Sequence, residues 1–187
     1  MKAYLITDPS IYGNTPETFS DHLQAVLRRH RPDVICYRDK EASAAHYAEM
    51  AASFLAVAEK ERIPMALLHG DYALAARLNA CGVHLTSKQF DEIEKAKSLG
   101  LYVIISTHTH DDVVRACELG ADAVTYSPVF HSPGKGNPVG LEDLKERVDK
   151  ISINIFALGG IVTPAQVKEV ESTGCYGFAS IRYFIDN

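Results

Sequence analysis

The chain has 187 residues, 47% of them hydrophobic and 23% charged, with a formal net charge of −5. That length is enough for one domain over residues 1–187 with a substantial core, and the composition is ordinary for a globular enzyme. The acidic balance argues against nucleic acid or an anionic membrane as the main partner, but not against a small anion, because local cations outweigh a distant net charge.

The first residues, Lys2-Ala3-Tyr4-Leu5-Ile6-Thr7-Asp8, form a strand signal at Ala3–Thr7 that is too short and too early broken for a secretory leader. Phe19, Leu23, Val26 and Leu27 then make a helical stripe, followed by a continuous apolar strand signal at Val34–Tyr37. Tyr47, Met50, Ala51, Phe54, Leu55 and Ala58 form the next stripe. Further strands are predicted at Met65–Leu68, Gly82–Leu85, Tyr102–Ser106, Ala123–Tyr126, Ile155–Leu158 and Gly177–Ser180. Asp111 is expected to cap the helix carrying Val113, Val114 and Cys117, and Thr163-Pro164 reads as an N-cap followed by a proline at the first helical position. Gly100, Gly120 and Gly174 stand where helices should stop.

Eight strand signals, several of them nearly continuous apolar segments, alternating with helices indicate an α/β protein, a (β/α)8 TIM barrel rather than a doubly wound sheet of fewer strands. Only Arg182–Asn187 follow the eighth strand, so the final helix is expected to be short or missing. The apolar surface this leaves predicts a homodimer in which a second copy covers it. Cys36, Cys81, Cys117 and Cys175 are widely spaced, with no CxxC, and read as reduced thiols. With no apolar run near the ~20 residues a membrane span needs, the expected location is cytoplasmic.

A barrel places its chemistry at the C-terminal strand ends. Those ends carry Arg38-Asp39-Lys40, His69-Gly70-Asp71, Thr86-Ser87, Ser106-Thr107-His108, the loop from Ser127 to Lys135, Gly159-Gly160 and Arg182. Arg38 and Lys40 are two residues apart, a fork and a point charge suited to phosphate oxygens, although Asp39 and Glu41 offer them salt-bridge partners. Ser132 and Lys135 lie on a loop rich in glycine and proline, and Gly159-Gly160 is a turn whose backbone N–H groups can approach an anion. Ser106 and His108 share strand parity and are expected to face the same site, whereas His110 falls at the start of the next helix. His84 lies within a strand and reads as a hydrogen-bonded interior residue, so His131 and His69 are the candidate acid/base catalysts. No His/Cys spacing indicates a zinc site.

These segments resemble the thiamine phosphate synthase/TenI family of barrels. Leu5-Ile6-Thr7-Asp8, Tyr37-Arg38-Asp39-Lys40, Gly82-Val83-His84-Leu85, Ile105-Ser106-Thr107-His108, Gly120-Ala121-Asp122-Ala123-Val124, Ser127-Pro128-Val129-Phe130 and Leu158-Gly159-Gly160-Ile161 occur in family order and at family spacing. The resemblance implies a thiazole phosphate held near Gly159-Gly160. In the synthases it also implies a pyrimidine pyrophosphate held by residues matching Arg38, Lys40, Ser106 and Lys135 together with magnesium. The chain departs from the synthase pattern where two aspartate ligands for magnesium are expected. It has His69-Gly70, with Asp71 one place late, and Gln89 at the second position. Ser132 stands in for a threonine, and Arg182 falls near a position that is usually small.

Loss of both carboxylates removes the simplest way to hold magnesium. The expectation is therefore a TenI-type thiazole tautomerase, an isomerase that needs no cofactor and uses His131 or His69 because Pro128 occupies the usual histidine position. Two alternatives are a divergent synthase, a transferase using Mg2+ with Asp71 as a ligand, and a non-catalytic barrel that binds thiamine phosphate and regulates.

Overall fold

The structure is a computed structural model that describes residues 1–186. Eight strands, β1 (Lys2–Ile6), β2 (Val34–Tyr37), β3 (Met65–His69), β4 (Gly82–Leu85), β5 (Tyr102–Thr107), β6 (Ala123–Tyr126), β7 (Asn154–Leu158) and β8 (Gly177–Ser180), pair in parallel in sequence order. β1 also pairs with β8, so the sheet closes into the expected (β/α)8 barrel. The predicted strands shift by at most one residue at an end. β1 starts at Lys2, for example, because Lys2 pairs with Gly177.

The helices are α1 (Pro9–Tyr12), α2 (Pro16–His30), α3 (Ala44–Lys60), α4 (Tyr72–Arg77), α5 (Ile93–Ser98), α6 (His110–Glu118), α7 (Gly140–Lys150), α8 (Pro164–Glu171) and α9 (Tyr183–Asp186). Thr15, Ser43, Asp71 and Thr163 accept backbone N–H bonds at the starts of α2, α3, α4 and α8. The Asp111 cap predicted for α6 is corrected to Thr109. Thr109 Oγ1 accepts the Asp112 N–H at 3.1 Å and Asp112 Oδ2 accepts the Thr109 N–H at 3.2 Å. This reciprocal box needs an extended residue at the cap, and Thr109 supplies it, while Asp111 falls in the first turn.

The alternation of side chains across each strand separates two apolar regions. Leu5, Ile35, Leu68, Val83, Ile105, Val124, Ala157 and Phe178 face outward into the layer shared with the helices. Tyr4, Ile6, Val34, Cys36, Leu67, Ile104, Phe156 and Ala179 fill the barrel interior. His84 belongs to that interior and is 2% exposed. Its Nδ1 lies 2.7 Å from the Tyr4 hydroxyl and its Nε2 3.0 Å from Ser106 Oγ, as expected of a hydrogen-bonded core histidine.

The final helix is short, but the expectation of an uncovered apolar gap is overturned. Phe184 of α9 is 2% exposed and stacks on Phe178 with ring centroids 5.9 Å apart, and His30 at the end of α2 meets its edge at 5.7 Å. One aromatic side chain thus fills the space between the end of α2 and β8. No helix among the described residues is long and apolar enough to cross a membrane.

Candidate functional site

A cavity of about 330 Å3 opens at the C-terminal ends of the strands. β2 runs into Arg38 and Lys40, β3 ends on His69, and β5 delivers Ser106 and His108, all of which line the cavity. Ser132 and Lys135 reach it from the loop after β6, Gly159 and Gly160 from the turn after β7, and Arg182 from the end of β8. His131 is the exception. It is exposed and is not among the residues that line the cavity.

The path of that loop explains the exclusion. The Val129 N–H bonds the Leu158 carbonyl at 2.9 Å and the Phe130 N–H bonds the Gly159 carbonyl at 3.0 Å, so the loop runs on past β6 alongside the end of β7. His131 then stacks its backbone over the glycine turn. The two glycines are required here for a reason absent from the sequence argument. At φ +71° a Cβ on Gly160 would sit 2.5 Å from the His131 carbonyl oxygen, and at φ +97° one on Gly159 would sit 2.7 Å from Pro128 Cα. Ser180 is a residue that sequence reasoning missed. Its buried hydroxyl donates to the Ile161 carbonyl at 2.7 Å and accepts the Tyr183 N–H at 3.1 Å, tying the turn to the end of β8. Ser127, on the inward parity of β6 two residues beyond Thr125, also lines the cavity and was legible from that parity.

Three histidines take part in the wall and differ in environment. His84 is held far below its ordinary range by burial and by His69 and Arg38, and stays neutral. His69 is pushed down to about 4 by burial and then by Arg38 and Lys40, so it too is uncharged at neutral pH. Its backbone is pinned on both sides by Tyr47, whose hydroxyl donates to the His69 carbonyl at 2.8 Å and accepts the His69 N–H at 3.0 Å. His108 Nδ1 lies 2.9 Å from the Ser127 carbonyl oxygen. A carbonyl only accepts, so Nδ1 carries a hydrogen at this contact.

The cations stand close together. Burial and the charges of Arg38 and Lys135 hold the Lys40 ammonium below its ordinary range, with the Arg38 guanidinium contributing most. Arg38 has an acidic neighbour in Asp8 at 3.9 Å, whereas neither Lys40 nor Lys135 forms a salt bridge among the described residues. Among the described residues, no aspartate or glutamate lines the cavity.

The nearby acids are engaged elsewhere. Asp39 accepts the Glu41 and Ala42 N–H groups, and Asp71 caps α4 through the Leu74 N–H at 2.8 Å. Gln89 Nε2 donates to the Gly70 carbonyl at 2.7 Å and its Oε1 accepts the Thr86 N–H at 2.9 Å, joining the loops after β3 and β4. No group of three His, Cys, Asp or Glu residues suited to a metal occurs among the described residues. Magnesium is bound through carboxylates and phosphate oxygens, so this donor set does not fit a magnesium ion held by the cavity wall, of which Asp71 is not a part.

The family described as thiamine monophosphate synthase matches residues 3–184. The chain is 30% identical over 188 residues to the putative thiamine-phosphate synthase 2 of Aquifex aeolicus, covering 99% of this chain and 98% of that one. It is 34% identical to the thiamine-phosphate synthase of Caldicellulosiruptor bescii, over 92% of this chain and 83% of that one. Among solved structures, the thiamine phosphate pyrophosphorylase from Pyrococcus furiosus superposes with a TM-score of 0.80 at 26% identity, covering 96% of this chain and 85% of that one.

Proposed function

The chain belongs to the thiamine phosphate synthase/TenI family, whose role is in thiamine biosynthesis, and from that premise we propose that it is a thiazole tautomerase. The observation that carries this reading is a cavity wall that, among the described residues, has four cationic side chains, Arg38, Lys40, Lys135 and Arg182, three histidines and no carboxylate. Such a wall suits a small substrate bearing both a phosphate and a carboxylate, and it suits proton transfer better than metal-assisted departure of pyrophosphate.

The phosphate lies at the Gly159-Gly160 turn with Arg182 beside it, and Arg38 and Lys40 hold the carboxylate. His108 Nε2 takes a proton from the ring, and one proton is returned elsewhere on the conjugated system, so the ring becomes aromatic with no net change in atoms. Neutral His69 donates a hydrogen bond that orients the ring. His108 thereby takes the role that the sequence suggested for His131.

A second reading is a synthase joining the pyrimidine pyrophosphate and thiazole phosphate. It is favoured by the relatives' names and by Arg38, Lys40, Ser106 and Lys135 sharing one cavity. One paired experiment separates the two. The non-aromatic thiazole carboxylate phosphate is added to the purified protein and aromatisation is followed by ultraviolet absorbance. In parallel, the pyrimidine pyrophosphate, aromatic thiazole phosphate and magnesium are incubated and thiamine phosphate is sought by chromatography. Aromatisation without thiamine phosphate is the expected result. Thiamine phosphate formed at a synthase-like rate overturns it in favour of the second reading, and neither product leaves a ligand-binding barrel.

A further inference from the structure

The N-terminal end of the barrel, opposite the histidines, carries a second cleft of about 360 Å3. It is walled by Arg31, Pro32 and Asp33 ahead of β2 and by Arg62, Ile63 and Pro64 ahead of β3. The backbone at its two arginines stands apart from the other helix ends. Helices α4, α5, α6 and α8 are followed by Asn79, Gly100, Gly120 and Gly174 at positive φ, the residue types that best tolerate a left-handed turn. The chain leaves α2 and α3 in the same way at Arg31, with φ +48°, and at Arg62, with φ +55°. Both positions therefore hold a long cation where glycine would suit the backbone better.

The acids beside these arginines are committed to other cations. Glu61, buried at the end of α3, accepts from Arg28 Nε at 3.0 Å and lies 2.9 Å from Arg28 Nη2. Asp33 pairs with Lys2 at 2.8 Å and accepts the Ala3 N–H at 2.9 Å. Neither Arg31 nor Arg62 forms a salt bridge among the described residues. Arg31 Nη1 donates to the Glu61 carbonyl at 3.0 Å, which caps α3 and draws this guanidinium across to the residue before Arg62. That bond uses one of the five N–H donors of a guanidinium.

Two planar forks at one cleft suit a phosphate group better than a carboxylate. A single fork already satisfies both oxygens of a carboxylate, whereas a phosphate dianion presents three acceptors. We propose that this cleft binds the phosphate group of a small molecule between Arg31 and Arg62, as a site separate from the cavity at the other end of the barrel. The proposal does not depend on which reaction that cavity performs.

Inorganic phosphate titrated into the isotope-labelled full chain tests it, with backbone amide shifts followed by NMR. Saturable shifts are expected at Arg31, Arg62 and Ile63, independent of any at Gly159 and Gly160. Arg62→Gly removes one fork and puts at φ +55° a residue that adopts it freely, so the fold is retained. It is expected to weaken phosphate binding read at Ile63 by about tenfold, the scale of one lost charge-assisted hydrogen bond, while Gly159 and Gly160 respond as in the wild type. Arg31→Gln is expected to weaken the same response by a similar factor. The proposal is overturned by the absence of a saturable shift at the lower cleft, by shifts that chloride reproduces at equal ionic strength, or by acetate binding as tightly as phosphate. Unchanged binding at Ile63 in Arg62→Gly also overturns it.

Discussion

The Tyr4 hydroxyl lies 2.7 Å from His84 Nδ1 inside the barrel, and this contact sets the orientation of a cavity residue two bonds away. Burial raises the Tyr4 phenol well above its ordinary range, so it remains a donor. A neutral His84 that accepts at Nδ1 carries its hydrogen on Nε2, facing Ser106 Oγ at 3.0 Å and Thr125 Oγ1 at 3.4 Å. In that tautomer Ser106 accepts from His84 and its own hydrogen is left for a ligand. Tyr4→Phe leaves a buried ring nitrogen unpaired. The expected cost is about 1–3 kcal/mol in urea unfolding, with weaker binding of a phosphorylated ligand. Unchanged stability would show that the contact contributes nothing.

His108 and His131 give a contrasting pair. His108→Ala is expected to lower the aromatisation rate by about 10²–10⁴-fold, because it removes the proposed proton carrier from the cavity wall. His131→Asn is expected to turn over at close to the wild-type rate, because its side chain is exposed outside the wall. Steady-state rates reversing that order would return the proton carrier to the β6 loop.

Acid should destabilise this fold through its buried histidines. His69 has a folded value of about 4 against an unfolded 6.5, and His84 is also depressed. Below pH about 6.5 the unfolded chain binds the extra protons, so the stability that neutral His69 contributes is complete above about 6.5 and is lost as pH falls toward about 4, and His84 adds a loss of the same sign. Thermal melting should therefore drop across that window, and His69→Gln should flatten part of the drop. A wild-type melting temperature constant from pH 6.5 to 4.5 would refute the assignment.

Phe184 should matter out of proportion to its place near the end of the chain. It is 2% exposed against Phe178 and His30, and Phe184→Ala opens a cavity in the outer layer. The expected loss is about 3–5 kcal/mol, read by chemical denaturation. If the variant loses under 1 kcal/mol, the closing role of α9 is wrong.

Much of this architecture was legible in the residues themselves. Runs such as Val34–Tyr37 and Ala123–Tyr126 are apolar on both faces, and only strands buried on both faces read that way. Their parity put Ser106 and His108 on one side, and the strand order put Arg38, Lys40 and the glycine turn on one rim, since all parallel strands of a barrel end at the same face. The replacement of carboxylates by His69-Gly70 and Gln89 was equally visible.

Other features depended on contacts between residues far apart in the chain. His131 left the site because the loop after β6 pairs with the end of β7, about thirty positions on. Gly160 is needed because the His131 carbonyl lies where its Cβ would be. Phe184 made the missing helix unnecessary by stacking on Phe178 and against α2. Periodicity and local propensity, which depend on neighbours a few residues away, therefore determined the strands, the caps and the rim. Loop direction, close approach of backbones and the filling of a gap were decided by packing between distant segments, a distance relation that no single stretch of chain encodes.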